Sequence, residues 1–519
     1  MKKVVKTRNL LMLFLLGVLS VHSAMAQRII TADANKVRGL RSTMYNECIG
    51  AGRAEEGLRA DWQQQLQIVQ KTMPFKYIRF HGLLCDEMHI YTEDSTGRAI
   101  YNWQYLDRLY DFLQSVHLKP FVELGFMPPA LASGTQTVFW WKGNVTPPKS
   151  YQKWSDMIVA LVKHLQERYG VAEVKSWYFE VWNEPNLGGF FAGNQAEYFK
   201  LYQYTANAVK SVSSDYRVGG PATAKNEWIK AFLNFCSTNH VPLDFVSTHG
   251  YNTLFVFDEF GKGKRKLLAT DYLYKNVRYV RRVMDSTVYK NLPLHYTEFN
   301  SSPSSRDPIH DTYQNAPYIL NTLKHAAGAA ESMSYWTFTD VFEESGPAVT
   351  PFHGGFGLLN LQDIKKPTFF AYQFLSELGK TELANADSAS IITKDDKGYQ
   401  VLVWDLKFPK KETVYDEDHF KDELPAKADG TVSISLNHLS PGKYRVEVYQ
   451  TGYQQNDAFS AYHQMGSPSY INPEQEKLLK SKATGKAISS TLVTIPKGNY
   501  QTKLSIRDND VFFIKLIKL

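Results

Sequence analysis

Two glutamates that lie far apart in the chain each stand where an apolar segment becomes polar. Glu184 follows Asn183 and precedes Pro185, directly after the aromatic and β-favouring run at 177–182. Glu298 lies near the end of a second such run, at 292–299. Two carboxylic acids that face each other across a sugar suit cleavage of a glycosidic bond, one as acid and base and the other as nucleophile. Taken singly, each glutamate would be a solvated strand end followed by a polar turn.

The elements that must bring these glutamates together are predicted by apolar segments that alternate with amphipathic ones between residues 41 and 380. One apolar stripe with helical spacing runs from Trp154 through Ile158 and Leu161 to Leu165. The alternation predicts an α/β fold, a (β/α)8 TIM barrel, with a doubly wound open sheet as the alternative because alternation alone does not require closure. The eight predicted strands are residues 44–50, 75–82, 120–125, 176–182, 216–220, 244–250, 292–299 and 332–338.

The pattern changes after residue 380, where runs of period two are separated by turns rich in Gly, Pro, Asp and Lys. Residues 381–519 are therefore predicted to form a β-sandwich domain appended to the barrel at 41–380. Residues 27–40 are expected to add a strand to that sandwich. The charged stretch 407–428 is expected to be an exposed insertion loop.

The first 26 residues have the composition of a secretory signal peptide. Four basic residues within the first eight precede an apolar run at 10–21, and an Ala-Met-Ala sequence at 24–26 fits a cleavage site. The run is shorter than the roughly 20 residues of a membrane-spanning helix, and no later segment is long and apolar enough to span. We therefore expect an exported protein, periplasmic or extracellular, with no membrane span.

The net charge gives no reason to expect a nucleic-acid partner. Removal of residues 1–26 takes away four of the 59 basic residues and none of the 52 acidic ones, which lowers the net charge from +7 to +3. The basic cluster at 261–266 is interpreted as a solvated loop. No motif with metal-ligand spacing and no phosphate-binding glycine loop is present, so neither a cofactor nor a metal is expected.

The three cysteines are too few for a disulfide framework. Cys236 lies in an apolar helical pattern and is expected in the core. Cys48 and Cys85 could pair in an oxidising compartment, which the sequence leaves open.

Polar and aromatic residues collect at the predicted strand ends, which is where a TIM barrel carries its functional groups. Strand four ends in Asn183 and Glu184, and strand seven ends in Glu298. Both glutamates are thus predicted on the same face of one barrel. The other candidate substrate-binding residues at these ends and in the loop after strand eight are His81, Phe126, His249, Tyr251, Trp336, Glu343 and Glu344.

The sequence resembles glycoside hydrolase family 39, which belongs to clan A. The motifs are Tyr-Phe-Glu-Val-Trp-Asn-Glu-Pro-Asn at 178–186 and Tyr-Thr-Glu-Phe-Asn-Ser at 296–301, with further similar stretches at 79–82, 126–128, 139–142, 247–251, 335–344 and 352–359. The resemblance covers roughly residues 40–380. It implies a retaining exo-glycosidase in which Glu184 is the acid and base and Glu298 is the nucleophile.

The surrounding residues receive roles that suit this chemistry. Asn183 is expected to hydrogen-bond the sugar 2-hydroxyl, and Tyr251 to donate to Glu298 and so favour its ionised form. The charge of Glu298 and the aromatic wall of Trp182 are expected to raise the pKa of Glu184. Trp336 is expected to form the floor of the sugar site, unless it is a core tryptophan.

The two strand-end histidines, His81 and His249, would bind other hydroxyls of the sugar, or else be barrel histidines with satisfied hydrogen bonds. Either Glu343 or Glu344 would close the far end of the subsite and so enforce exo action.

The resemblance leaves the sugar open among several choices. In the α-L-iduronidases of this family a basic pair follows the strand-six histidine, whereas Gly250 and Tyr251 stand there in this chain, as in the β-xylosidases. β-D-Xylose is therefore the first choice, while Gly250 in place of a bulkier residue and the insertion at 407–428 leave room for arabinosides or galactosides. The alternatives are an α-L-arabinosidase, a β-galactosidase, an α-L-iduronidase, or a carbohydrate-binding barrel without catalysis; the oligomeric state and the natural polymer stay open.

Overall fold

The computed structural model describes residues 27–519 apart from 258, 259, 261, 410–414 and 423, so the predicted signal peptide lies outside the described residues. The strands of the N-terminal part are β1 (Gln27–Asp33), β2 (Val37–Leu40), β3 (Cys48–Arg53), β4 (Tyr77–His81), β5 (Tyr91–Glu93), β6 (Ala99–Tyr101), β7 (Lys119–Leu124), β8 (Thr137–Val138), β9 (Gly143–Asn144), β10 (Tyr178–Val181), β11 (Arg217–Thr223), β12 (Phe245–Tyr251), β13 (Thr253–Phe257), β14 (Gly263–Leu267), β15 (Leu294–Asn300) and β16 (Ser332–Tyr335). The helices of this part are α1 (Ala60–Thr72), α2 (Gln104–Ser115), α3 (Tyr151–Tyr169), α4 (Val171–Val174), α5 (Gln195–Val212), α6 (Ile229–Thr238), α7 (Tyr272–Asp285), α8 (Asn315–Ala326) and α9 (Pro367–Ser376).

The eight predicted strands form a closed barrel of parallel strands in the order β3, β4, β7, β10, β11, β12, β15 and β16. The barrel closes where Tyr335 of β16 pairs with Ile49 of β3. This pairing confirms the TIM barrel and excludes the open sheet. Amphipathic helices cover the outside, and the stripe predicted in α3 is buried, including Trp154, Ile158 and Leu161.

The lower end of the barrel is filled by a layer of side chains from adjacent strands. Cys48, Tyr77, Phe121, Tyr178 and Phe245 form one buried cluster, in which the rings of Phe121 and Tyr178 stack with centroids 4.8 Å apart. Bulky residues in this layer make the interior a packed core, as in other TIM barrels. The functional side chains must therefore come from positions nearer the carboxyl ends of the strands.

The C-terminal part is antiparallel, as predicted for a β-sandwich. Its strands are β17 (Thr381–Leu383), β18 (Ser390–Asp395), β19 (Gly398–Trp404), β20 (Ala428–Asn437), β21 (Gly442–Thr451), β22 (Ser489–Ile495), β23 (Tyr500–Arg507) and β24 (Val511–Lys518), and its helices are α10 (Asp416–His419), α11 (Ala458–Gln464) and α12 (Pro473–Ser481). A seven-stranded sheet, β2-β17-β18-β19-β24-β21-β22, faces a three-stranded sheet, β1-β20-β23, across a second apolar core. Strand β1 pairs in parallel with β20, and β2 pairs with β17, so residues 27–40 lie in both sheets of the sandwich.

The stretch 407–428 differs from the exposed loop that the sequence predicts. In its described part, Phe420 is buried against Leu267 and Ile309. Glu417 forms an ion pair with Arg265 at 2.6 Å, and Asp418 forms one with Lys264 at 2.6 Å. The acidic insertion therefore packs onto the barrel through charge complementarity and one apolar anchor.

The basic cluster at 261–266 is also not the solvated loop that the sequence predicts, because it contacts the same insertion. Four of its residues belong to strand β14, which pairs with β13 in a hairpin directly after β12. Lys264 and Arg265 form ion pairs with the insertion at 407–428. The cluster is therefore part of an intramolecular contact and not a solvated loop.

Asp416 of the insertion lies next to Asp307 of the loop after β15, and the two form a buried pair of carboxyl groups. Both residues have no exposed surface, and the two oxygens of Asp416 and Oδ2 of Asp307 have no hydrogen-bond donor among the described residues. Burial and the neighbouring Asp307 raise the pKa of Asp416 well above its usual range. The folded chain therefore loses stability as the pH rises from the ordinary aspartate range toward the folded pKa, because the unfolded chain gives up this proton earlier.

Asp416→Asn is expected to stabilise the protein at pH 8 by about 1–3 kcal/mol and to have a smaller effect at pH 5, since an amide can donate to Asp307 without a titrating proton. Thermal unfolding at the two pH values measures this. Asp418→Asn makes the same change two residues further on, where the carboxylate is half exposed, and should change stability by less than about 0.5 kcal/mol. A lower melting temperature of Asp416→Asn at both pH values would contradict the pH-dependent cost that we assign to the buried Asp416 carboxyl.

The cysteines Cys48, Cys85 and Cys236 are buried and free, so the pairing of Cys48 with Cys85 that the sequence left open does not occur. Cys48 lies in the lower layer of the barrel, whereas Cys85 follows β4 at its upper end. Among residues 27–519, where described, no helix has both the length and the apolar character needed to cross a membrane.

Candidate active site

The carboxyl groups of Glu184 and Glu298 face each other at the upper end of the barrel. One oxygen from each and a ring nitrogen of His249 all lie within 4.8 Å of one another. Glu184 is 9% exposed and Glu298 is 4% exposed. Strands β10, β12 and β15 thus bring together two buried acids, as the sequence predicts.

A strained turn presents Glu184. Trp182 and Glu184 have φ angles of 71° and 44°, in the left-handed region that residues with a side chain rarely adopt. The Glu184 amide donates to the carbonyl of Ala222, and the Trp182 indole donates to the carbonyl of Phe190, at 2.9 and 2.8 Å. These bonds hold a conformation that costs about 1–3 kcal/mol per residue and that bends the chain inward at the strand end.

Glu184 lies in an environment that favours its protonated form near neutral pH. Burial raises the pKa of Glu184 to about 7, although the charges of His81 and Arg79 act in the opposite direction. Burial, instead of the predicted charge of Glu298, is thus the main cause. Nδ1 of His249 lies 2.9 Å from Oε1 of Glu184, and burial lowers the pKa of His249 to about 4, so this ring is neutral.

Glu298 is held by one cationic and one neutral donor. Arg79 Nη1 donates to Oε1 at 2.7 Å, and the Tyr251 hydroxyl donates to Oε2 at 2.7 Å. Both oxygens therefore accept a hydrogen bond, which fixes the orientation of the carboxylate. Tyr251 in turn packs against a buried aromatic cluster of Trp336, Phe342 and Phe356.

Arg79 is a central residue that the sequence interpretation did not single out. Its guanidinium also donates to Glu180 at 2.6 Å and to the carboxamide oxygen of Asn183 at 2.9 Å, and it lies 2.9 Å from Glu123. It has no exposed surface. One signal was available: Arg79 precedes His81 by two positions in a strand, so both side chains point to the barrel interior. Glu123 and Glu180 occupy the corresponding inward positions of β7 and β10.

His81 links this charged layer to the loop after β16. Its Nδ1 lies 2.7 Å from Glu123, and its Nε2 lies 3.5 Å from Glu344 and 3.7 Å from Glu298. Burial alone would lower the pKa of His81, but Glu123 raises it to about 10, so the ring is a cation. Burial raises the pKa of Glu344 to about 7.

Aromatic side chains enclose the carboxyl groups. Trp336 is 2% exposed, and its ring lies 4.8 Å from the ring of His81. Phe126 contacts both His81 and Trp182, at centroid distances of 6.0 and 5.4 Å. Aromatic rings and hydrogen-bonding groups thus alternate around the two carboxyl groups, as in sites for small polar ligands.

Glu343 lies apart from the rest of the predicted site. Its two oxygens pair with Arg59 at 2.8 Å and with Arg53 at 3.2 Å, and its amide donates to Glu56. Of the two glutamates predicted to close the subsite, Glu344 alone faces His81. The predicted residues that the structure brings together are His81, Phe126, Asn183, Glu184, His249, Tyr251, Glu298, Trp336 and Glu344.

One group in the described part of the chain has the spacing of metal ligands, namely Glu184, His249 and Glu298. The guanidinium of Arg79 already neutralises Glu298 at 2.7 Å. A metal ion would have to displace this buried cation or lie next to it, so we assign no metal to the group.

The comparison with known sequences agrees with this geometry. The family model described as Glycosyl hydrolases family 39 matches residues 28–497. A β-xylosidase of Geobacillus stearothermophilus is 46% identical over 375 residues, which cover 70% of this chain and 74% of that protein. A β-xylosidase of Caldicellulosiruptor saccharolyticus is 39% identical over 466 residues, which cover 87% and 91%. Human α-L-iduronidase is 28% identical over 260 residues, which cover 45% and 38%.

Solved structures give the same result. A family 39 enzyme from Xanthomonas axonopodis pv. citri superposes with a TM-score of 0.92 at 38% identity over 97% of this chain and all of that one. A monomeric β-xylosidase from Caulobacter crescentus CB15 superposes with a TM-score of 0.91 at 38% identity over 95% of this chain and all of that one. The chain therefore belongs to glycosyl hydrolase family 39 and is a glycosidase, with a carbohydrate as its substrate.

Proposed function

We propose that the chain is an exo-acting, retaining β-D-xylosidase in which Glu184 is the acid and base and Glu298 is the nucleophile. The observation that carries the proposal is the approach of the two carboxyl groups, whose nearest oxygens lie within 4.8 Å. Retaining enzymes need about 5–5.5 Å between the two groups, whereas inverting enzymes need about 6.5–9.5 Å for a water between nucleophile and sugar.

In the first step, an oxygen of the Glu298 carboxylate attacks the anomeric carbon while the bond to the leaving-group oxygen breaks. Glu184 gives its proton to that oxygen and becomes a carboxylate, and the sugar is left as an ester of Glu298. The raised pKa of Glu184, about 7, supplies the required protonated form.

In the second step, the Glu184 carboxylate takes a proton from water, the water oxygen bonds to the anomeric carbon, and the ester bond to Glu298 breaks. The sugar leaves with its original anomeric configuration, and Glu184 is protonated again. Asn183 supports both steps because its carboxamide oxygen is occupied by Arg79, which leaves the NH₂ group for the sugar 2-hydroxyl.

The charges of the pocket support a neutral sugar over a uronate. Arg79 is surrounded by Glu123, Glu180 and Glu298, and His81 lies between Glu123 and Glu344. Neither cation is left to bind a sugar carboxylate. Together with the similarity to two β-xylosidases, this supports xylose.

Gly250 does not enlarge the sugar site. A Cβ at this position would lie 2.4 Å from the Leu273 side chain and 3.1 Å from the ring of Tyr296. Leu273 belongs to the outer helix α7, so a side chain here would point away from the pocket. The absence of a larger residue at 250 is therefore no argument for a larger sugar.

A panel of nitrophenyl glycosides tests the sugar: β-D-xyloside, α-L-arabinoside, β-D-galactoside and α-L-iduronide. We expect the highest kcat/KM with the xyloside and a β-anomer as the first product in proton NMR. An α-anomer released first would exclude Glu298 as nucleophile. Binding of xylo-oligosaccharides without cleavage of any glycoside would favour a barrel that binds carbohydrate without catalysis.

The pH dependence should report on Glu184. For an alkyl xyloside, a poor leaving group, kcat/KM is expected to fall tenfold per pH unit above about pH 7, because the free enzyme then loses the proton that Glu184 must donate. With a 2,4-dinitrophenyl leaving group, which departs without protonation, this decrease should disappear. Glu344 also has a raised pKa of about 7, so Glu344→Gln is the control and should keep the decrease.

We also propose that the chain is exported to the periplasm or the extracellular space. The proposal rests on the basic, apolar and Ala-Met-Ala sequence of residues 1–26. Mass spectrometry of the terminal peptide of the exported protein should show Gln27, or its cyclised pyroglutamate form, as the first residue.

A further inference from the structure

Residues 222–228, the end of strand β11 and the loop that follows it, lie next to Glu184 and hold an unusual backbone. Ala222, Lys225, Asn226 and Trp228 have φ angles of 51°, 57°, 60° and 63°. Four left-handed residues with side chains in a stretch of seven are costly and persist only where other contacts impose them. Such clusters of strain tend to mark functional loops.

Two side chains close in sequence to the proposed catalytic glutamates fix this loop. The side chain of Asn186, two residues after Glu184, exchanges hydrogen bonds with the backbone of Ala224: its amide donates at 3.2 Å and its oxygen accepts at 2.9 Å. The hydroxyl of Tyr296, two residues before Glu298, donates to Asn226 at 2.7 Å. Residues adjacent to both proposed catalytic glutamates therefore determine where the loop stands.

The loop presents an unpaired cation on the side of Glu184. Lys225 is exposed and forms no ion pair among the described residues: the neighbouring Glu227 carboxylate accepts from Asn186 at 3.1 Å, and the Glu184 carboxyl contacts His249 at 2.9 Å. Its charge nevertheless acts on Glu184, where it opposes the effect of burial on the pKa. The backbone also places Lys225 on this side: the Glu184 amide donates to Ala222 at 2.9 Å, and Ala224, the residue before Lys225, donates to Asn186 at 2.9 Å. Lys225 thus stands beside the turn that carries Glu184 and is open to solvent.

The role of Glu184 indicates on which side of the sugar the loop at 222–228 lies. Glu184 protonates the leaving oxygen, so the leaving group lies on its side of the anomeric carbon. The opposite end is closed by His81 and Glu344, 3.5 Å apart. The leaving group therefore lies on the side of Glu184, where the loop at 222–228 is bonded to the Glu184 turn.

We propose that Lys225 forms a charge-selective subsite for the leaving group, which favours aglycones that carry a carboxylate close to the scissile bond. The inference rests on Glu184 as the acid and extends the proposed function to the other side of the bond. An exposed ammonium gains most from an anion that can reach it, and salt weakens this attraction.

Two aryl β-D-xylosides with leaving groups of equal acidity test the proposal, one with a carboxylate on the ring and one with a neutral ester in its place. For the wild type at low salt, kcat/KM should be about three- to tenfold higher with the anionic aglycone. Lys225→Met should abolish this preference, and Lys225→Arg should keep it. In 1 M NaCl the wild type should approach Lys225→Met.

A second readout separates this role from a structural one. Lys225→Met removes a cation that favours the ionised form of Glu184, so the decrease of kcat/KM at alkaline pH should begin at higher pH with the neutral alkyl xyloside. The other charged and titratable groups that act on Glu184 or lie near it are Arg79, His81, Glu123, His249, Tyr251, Glu298 and Glu344, and none of them is altered. Lys230→Met, an exposed lysine of helix α6, is the matched control and should change neither readout.

Equal kcat/KM for the two aglycones in the wild type, or an unchanged preference in Lys225→Met, would overturn the proposal. These outcomes differ from a failure of the proposed function, in which neither xyloside would be cleaved or Glu184 variants would keep full turnover.

Discussion

Glu298→Gln is expected to lower kcat for every xyloside by roughly 10⁴- to 10⁶-fold, because an amide cannot form the glycosyl ester. The fold should persist. In the wild type, Arg79 and Tyr251 donate at 2.7 Å to the two oxygens of Glu298. In the variant, the amide oxygen can still accept from one of them. The measurement is single-turnover cleavage of 2,4-dinitrophenyl xyloside, with circular dichroism to verify folding.

Azide distinguishes the proposed nucleophile from the proposed acid. In Glu298→Ala the space of the carboxylate is free, so azide should attack from that side and give the α-xylosyl azide. In Glu184→Ala, cleavage of the dinitrophenyl xyloside should still load Glu298, and azide should release the sugar from the opposite face as the β-xylosyl azide. A β-azide from Glu298→Ala, or loss of less than tenfold in Glu298→Gln, would reverse or refute the assignment of Glu298.

The periodicity of the sequence predicts the strand–helix units, and the meeting of the two glutamates follows once the sheet closes into a barrel. Eight apolar segments at the right spacing allow few arrangements, and Glu184 and Glu298 at two strand ends then share one face. The predicted ends of the strands agree less well with the structure. The last strand ends at Tyr335, three residues before its predicted end, since an apolar pattern continues into a loop that is also buried.

Adjacent loop residues could not be distinguished from sequence. Glu343 and Glu344 have the same chemistry, and their directions depend on partners from distant parts of the chain. Arg53 and Arg59 take up Glu343, and His81 faces Glu344. No local pattern encodes such long-range pairs, and the same holds for the insertion, which docks through Arg265 and Phe420.

The charged layer around Arg79 was missed for a different reason. A buried ion network needs several partners to be stable, so no single residue reveals it. Arg79 stands among apolar neighbours in β4, as Glu180 does in β10, and each alone suggests an edge or an error in the strand prediction. The reason for both charged residues is visible only in the folded barrel, where Arg79 and Glu180 form an ion pair at 2.6 Å.

Arg79→Met is the change from which we expect the largest combined loss of stability and activity. It removes the one residue that pairs with Glu123, Glu180 and Glu298 at once. Breaking a buried ion pair on one side costs about 3–5 kcal/mol, since the partner is left as an uncompensated charge. Chemical denaturation should show this loss, and kcat should fall by at least about 10²-fold because Glu298 and Asn183 lose a shared donor.

The loss of stability and the loss of activity in Arg79→Met have different causes. The double variant Arg79→Met/Glu180→Met distinguishes them. It removes one cation and one anion of the layer, and it leaves Glu123 paired with His81 at 2.7 Å. Stability should therefore recover in part, by about 1–3 kcal/mol relative to Arg79→Met. Activity should not recover, because Glu298 still lacks the donor 2.7 Å from Oε1. Recovery of both together would mean that Arg79 serves the fold alone and has no part in holding the carboxylate that attacks the sugar.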